Sequence, residues 1–206
     1  MLDELRHEHR MIRRVLRVLN SAADRWQQQT VDPEGLIRLI RLLQDYANQF
    51  HQRVEEEVLF PELEKEGIPQ QGGPLEVLLA EHREGMGYLK ELEDYLQRLR
   101  QGEAAIQAEL ADTVRAYSLL LLAHIGKEDM VILPLAAHAR LGKGLSELSE
   151  EIRRNLRDAA KEAEFDWVLR ELEEELGLPE AENLDQDDGA FPVEPDALAD
   201  EFLREQ

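Results

Sequence analysis

The chain has 206 residues, enough for one sizeable core or one domain with an extension, and is 43% hydrophobic but only 5% aromatic. A formal net charge of −21 argues against an electrostatic grip on nucleic acid or anionic membrane. With no cysteine, disulfides, iron–sulfur ligation by the chain itself and thiol chemistry are excluded.

The start, MLDELRHEHR, has no apolar h-region, so no signal peptide is expected. The longest apolar run, LLLLA at 119–123, is too short to span a bilayer, and a cytoplasmic setting is the default expectation. The abundance of Leu, Glu, Arg and Ala favours helices over sheets. Residues 2–29 place Leu5, Ile12, Leu16, Leu19, Ala23 and Trp26 at helical spacing. DPEG at 32–35 reads as an N-cap followed by proline at the first helical position. A second helix then runs to Pro61, and the breaker-rich EGIPQQGGP at 66–74 is a loop. A third helix is expected at about 75–100. A fourth covers about 103–141, bent near Pro134 and closed by Gly142 and Gly144. Residues 145–177 read as a charged amphipathic helix. Residues 179–206 hold ten acids against one base and read as an acidic, flexible tail, with a short helix at 197–204.

A repeat organises the first two thirds of the chain. HEHRMIRRVL at 7–16 is echoed by AEHREGMGYL at 80–89, and HQRVEEEVLF at 51–60 by HIGKEDMVIL at 124–133. His9 precedes His51 by 42 residues, and His82 precedes His124 by the same interval. Both second members carry Glu four residues after His and proline directly after the stretch. The expected architecture is therefore all-α: an up-down four-helix bundle over 1–144 built from two duplicated helical hairpins, a C-terminal helix at 145–178, and the tail at 179–206.

Residues four apart in a helix share a face, so His51 with Glu55 and His124 with Glu128 can both point inward. His9 and His82 join them from the other two helices. Four imidazoles and two carboxylates in an apolar interior are costly unless partnered. Two divalent cations would satisfy all six, each Glu bridging the pair and two imidazoles ending each metal. Mixed nitrogen and oxygen ligation suits iron, manganese or zinc, while the lack of sulfur ligands argues against copper(I) and purely structural zinc.

This doubled pattern, over roughly residues 3–141, resembles the hemerythrin-like, HHE cation-binding family. The resemblance implies a four-helix bundle holding a non-haem di-iron centre, carboxylate- or oxo-bridged, with ligands at His9, His51, Glu55, His82, His124 and Glu128. It implies binding of, or reaction with, O2, peroxide or nitric oxide, in oxidative or nitrosative stress or iron handling. The oxygen-carrying members have a second His four residues after the third-helix His; Met86 stands there, leaving a coordination position open. The four-His, two-Glu set is similar to that of di-iron proteins of iron–sulfur cluster repair, which also carry a cysteine-containing N-terminal domain, whereas this chain has no cysteine. Carriers use an Asp five residues after the fourth-helix His, where this chain has Asp129. The internal repeat favours Glu128, with Asp129 as the alternate.

Other polar residues take plainer readings. His7 lies about 200° around the helix from His9 and is expected in solvent, and His138 at a helix end. Glu56, Glu57, Glu62 and Glu64 read as a solvated face, and Glu8 and Glu81 as surface charges. Arg10 and Arg83 are available to acids of neighbouring helices. Tyr46, Phe50, Phe60 and Tyr117 read as core, Phe60 and Leu133 as walls of the site, and Met86 as core filler beside a substrate pocket. No general base is identifiable, so no enzymatic reaction is assigned. The second functional reading is a metal- or redox-dependent sensor that acts on a protein partner, or on a second copy, through residues 145–206.

Overall fold

A computed structural model of the chain describes residues 1–25, 33–46, 51–139, 150 and 159–179. Expectations about Trp26, Asp32, Phe50, Gly142, Gly144, residues 151–158 and the tail from 180 onward lie outside the described residues. Those described are helical, with no strand among them.

Helix α1 (Leu2–Arg25) opens on Asp3 and Glu4, which favour its N-terminus through the helix dipole. Its buried stripe runs Leu5, His9, Ile12, Leu16, Leu19 and Ala23 at intervals of three and four. His9 is thus carried into the interior by the same register that buries the leucines. Helix α2 (Pro33–Gln44) has proline at its first position, as DPEG suggests, and buries Leu36, Leu39, Ile40 and Leu43. A short α3 (Gln52–Val54), a π-helical turn (Glu55–Leu59) and α4 (Phe60–Lys65) follow. The helix therefore passes through Pro61 rather than ending there. Gly67 (φ 96°) and Gly72 (φ 70°) then turn the chain, in left-handed conformations that a side chain would strain.

Helix α5 (Pro74–Arg100) buries Leu75, Leu78, His82, Gly85, Leu89, Leu92 and Leu96, again one stripe. Gly102 (φ 92°) closes it, and a 3₁₀ turn (Ala104–Ile106) leads into α6 (Gln107–Lys127). A second π turn (Glu128–Ile132) and α7 (Leu133–His138) complete this arm. The expected irregularity near Pro134 is this π turn, one step ahead of the proline.

The π turns at Glu55–Leu59 and Glu128–Ile132 lie 73 residues apart, at the same point of each repeat. In each, the residue before proline donates its N–H five residues back, Phe60 to the Glu55 carbonyl and Leu133 to that of Glu128. Proline lacks the N–H of a regular turn, and its ring crowds the carbonyl four residues earlier. A turn wider by one residue relieves that crowding without ending the helix.

Helix α5 packs on α6 and α2, and α1 packs on α6. Helix α8 (Ala159–Glu175) packs along α2 and α1 within the same chain. Its Phe165, Val168, Leu169 and Leu172 are buried, as is Leu176 just beyond it, and Phe165 stacks on Tyr46 with centroids 5.3 Å apart. Glu173 anchors it: Arg14 Nε and Nη2 donate to its two carboxylate oxygens at 2.8 and 2.6 Å, and Arg17 adds a bond of 2.8 Å.

Apolar packing falls into two bodies. One joins Ile12, Leu16, Leu19, Leu36, Leu39, Ile40, Leu89, Leu92, Tyr117 and α8. The other joins Leu5, Val54, Val58, Phe60, Leu63, Leu78, Ile132 and Leu133. On α1, His9 falls between Leu5 of the second body and Ile12 of the first; on α5, His82 falls between Leu78 and Leu89. The polar groups form a layer between two apolar cores.

Candidate metal centre

His9, His51, Glu55, His82, His124 and Glu128 meet in that layer, each almost fully buried. They form two overlapping groups, His9, His51, Glu55 and Glu128, and Glu55, His82, His124 and Glu128. Within each group, one ligand atom per residue lies within 4.8 Å of the others. Both carboxylates belong to both groups. Glu55 Oε1 is 3.4 Å from His51 Nε2, while its Oε2 is 3.3 Å from His82 Nε2. Glu128 Oε2 is 3.1 Å from His9 Nε2, and its Oε1 is 3.1 Å from His124 Nε2.

These approaches lack the alignment of hydrogen bonds. All four oxygens of Glu55 and Glu128, with His9 Nε2 and His51 Nε2, have no hydrogen-bond partner. His82 Nε2 and His124 Nε2 instead face each other at 3.1 Å. A buried carboxylate without a partner is strongly unfavourable, and two side by side more so. Cations between the groups would satisfy every one of these atoms, so the residues present fit a pair of metal ions.

The opposite nitrogen of each imidazole is held by a carboxylate. His9 Nδ1 pairs with Asp129 Oδ1 at 2.8 Å, and His82 Nδ1 with Glu56 Oε1 at 2.7 Å. His51 Nδ1 pairs with Glu8 Oε2 at 2.8 Å, and His124 Nδ1 with Glu81 Oε2 at 3.0 Å. Such partners fix the ring and point Nε2 at the centre, as carboxylates behind metal-bound histidines do. The four pairs repeat at the 73-residue offset: Glu8 corresponds to Glu81 and Glu56 to Asp129.

Several expectations are corrected here. Glu8 and Glu81 are not surface charges: Glu8 is buried, and Glu81 also accepts from Lys127. Glu56 is exposed on one side yet bound to His82 on the other. An acid one residue from an inward His lies about 100° around its helix, which places it at the seam with the neighbouring helix, not in water. The signal was present, since the echoed motif is Glu-His-Arg and includes the acid. Asp129 faces His9 Nδ1 and Arg13, away from the carboxylate pair, and belongs to neither ligand group. Met86 is not core filler; it is 42% exposed.

The remaining positions agree with expectation, apart from the pairing of Arg10 and Arg83. His7 is exposed, and His138 lies at a helix end with Nδ1 against the Pro134 carbonyl. Glu57 and Glu62 pair with Arg53 and Lys65 in solvent. Arg10 and Arg83 are exposed, and none of the described ion pairs uses them. Tyr117 and Leu133 are buried, and Phe60 stacks nearly parallel on His82 with centroids 6.0 Å apart.

The electrostatics of the metal-free centre follow from this geometry. Burial depresses the His9 pKa, but Asp129 and Glu128 outweigh it and the pKa is raised to about 9. Burial likewise opposes, and Glu55 with Glu56 overcomes, for His82, raised to about 10. Burial again opposes for His124, where Glu128 and Glu81 raise the pKa to about 9. Glu128 would be pushed up by burial, yet His124 and His9 hold it well below the ordinary carboxylate range.

Residues 1–136 match the family described as the hemerythrin HHE cation-binding domain. The chain belongs to this family. No curated protein and no solved structure matches it. The match ends before α8, so the docked helix is an addition to the family domain. No described helix is long and apolar enough to cross a membrane.

Proposed function

We propose that the protein holds two iron ions between the four imidazoles, with Glu55 and Glu128 shared by both, and that this centre binds or reacts with O2, peroxide or nitric oxide. The observation that carries the reading is the pair of buried, unpartnered carboxylates, each with one oxygen toward an imidazole of each group. His9 and His51 would serve one ion, and His82 and His124 the other. Bound there, iron supplies redox equivalents and open coordination positions for a small ligand. The chain supplies the rest. Asp129, Glu8, Glu56 and Glu81 orient the rings, and the apolar bodies above and below exclude bulk water. Zinc or manganese suits the same nitrogen and oxygen donors. In this reading residues 1–144 act as a four-helix bundle with internal two-fold symmetry, in a cytoplasmic setting.

The test is metal content with visible absorption after anaerobic Fe(II) loading, desalting, and exposure to O2 or nitric oxide. Two irons per chain, lost in His51→Ala and Glu128→Ala, is the expected result. Zero or one iron, indifferent to both substitutions, refutes it.

A second reading, a sensor acting through the C-terminal helix, is favoured by one observation. Helix α1 carries His9 and, one turn on, the Arg14 that anchors α8. In that reading, metal loading changes the protection of α8 against hydrogen exchange; identical protection in both states refutes it.

A further inference from the structure

The two halves of the centre agree in every imidazole and carboxylate, and differ in what lies outside them. At the 73-residue offset, Ile12, Arg13 and Arg14 of α1 correspond to Gly85, Met86 and Gly87 of α5. Ile12 is buried, closing the interior above His9. Arg13 donates to Asp129 Oδ2 at 2.8 Å, fastening the acid that holds His9. Arg14 lies beneath α8, bound to Glu173 and Asp166. The His9–His51 half is thus shut by an aliphatic side chain, an ion pair and an extra helix.

Around His82 the closures differ: Gly85 is itself buried against Tyr117, but the ion pair has no counterpart at Met86 and the covering helix none at Gly87. Gly85 has no side chain, and the nearest atom to its Cβ direction is Tyr117 Cε2 at 3.8 Å. Gly87 faces open space, with nothing within 4 Å. Met86, one turn after His82 on the same face, is 42% exposed. By the same correspondence it takes the place beside Glu56 that Arg13 takes beside Asp129. A thioether cannot fasten a carboxylate, and the Glu56 side chain is 43% exposed against 23% for Asp129. Two glycines in a helix interior cost about 1 kcal/mol each relative to alanine. The helix carries that cost at the turn after His82, whose Nε2 lies 3.3 Å from an unpartnered Glu55 oxygen.

We propose that the His82–His124 half is the side of the centre that exogenous ligands reach, by a portal at the Gly85–Met86–Gly87 turn with Met86 as its gate. This rests on the proposed metal centre and adds which half is reactive and what passes. The portal suits small, uncharged molecules. Its rim is a flexible apolar thioether, its inner wall is the Tyr117 ring, and the Glu56 carboxylate repels anions.

Nitric oxide association with the Fe(II)-loaded full chain, followed by stopped-flow absorbance, tests it, with iron counted in the same samples. Met86→Trp is expected to slow association by roughly tenfold or more with iron content retained. Met86→Ala, which cannot overpack, is expected to speed association and to admit tert-butyl hydroperoxide, which the native chain is expected to admit slowly relative to hydrogen peroxide. Unchanged rates in both variants at full iron content overturn the portal. So does acceleration by Arg13→Met with no response to Met86→Ala, which would place the opening at the other half. Absence of iron in the unsubstituted chain refutes the metal centre itself, an outcome distinct from failure of the portal.

Discussion

Loading the metal-free protein should expel protons in a number set by the centre. Without metal, His9, His82 and His124 carry pKa values of about 9, 10 and 9. At pH 7 all three values lie above the pH, but the facing Nε2 atoms of His82 and His124 can hold only one proton between them, so displacement by metal releases about two protons from these rings. Glu128 contributes none, being ionised already. At pH 10, at or above all three values, fewer of these protons remain and release falls accordingly. The assay is Zn(II) titration in weakly buffered solution with a pH indicator, metal uptake being measured in parallel. Release below about one proton at pH 7, or release independent of pH between 7 and 10, would show that the imidazoles rest neutral and refute the electrostatic account. The stability of the metal-free protein follows the same protons. These rings have folded pKa values above the unfolded value of about 6.5, so their contribution is fully present below that pH. It is lost as pH rises through about 9 to 10. The metal-free protein should therefore lose thermal stability from pH 7 to 10, while the loaded protein, whose rings carry no such protons, should not. A metal-free melting temperature that rises over that interval contradicts the pairing of these rings with carboxylates.

The carboxylates behind the rings give further tests. Glu8→Gln and Glu81→Gln should each weaken metal affinity about 10- to 100-fold in chelator competition, with helicity retained; full affinity would return them to the surface role that their composition suggests. Asp129→Asn should weaken affinity by a similar factor without changing the number of metals bound, and loss of a whole metal would make Asp129 a ligand instead. At the docked helix, Glu173→Ala leaves Arg14 with Asp166 alone and Arg17 with the Pro179 carbonyl alone, and should cost about 1–3 kcal/mol in denaturant unfolding. Replacing the pair together, as Arg14→Met with Glu173→Leu, should recover most of that loss; an additive double variant would show that the two do not act as a unit.

The helical class and the six converging groups were legible because one rule writes both. A stripe at intervals of three and four that buries Leu5, Ile12 and Leu16 also buries His9, and the stripe through Leu78, His82 and Leu89 does the same on α5. Polar residues at positions the period assigns to the core announce a purpose before any coordinates exist, and their repetition makes coincidence costly. What escaped was lateral. Glu8, Glu81 and Glu56 each sit one residue from an inward group, and a helical wheel assigns such positions to the flank. Whether a flank is seam or solvent depends on which helix lies beside it, and that is fixed only by packing.

The π turns and the docking of α8 escaped for different reasons. A proline in a helical pattern normally predicts a stop or a kink. Here Pro61 and Pro134 are passed by adding one residue to the turn before them, which an α-helical period cannot express. For α8, charge concealed the docking. Its buried Phe165, Leu169, Leu172 and Leu176 form a narrow stripe among acids that read as solvated, but Glu173 is consumed by two arginines of α1. Those arginines correspond to Gly87 and Lys90 in the other repeat, so only one half of the duplicated domain can seat the helix. The sequence repeat places matching imidazoles and carboxylates in two groups that could each hold a metal ion. The side chains one turn away then broke that symmetry, covering α1 with α8 while Met86 and Gly87 of α5 stay exposed, and in the proposed reading a small ligand approaches from that side.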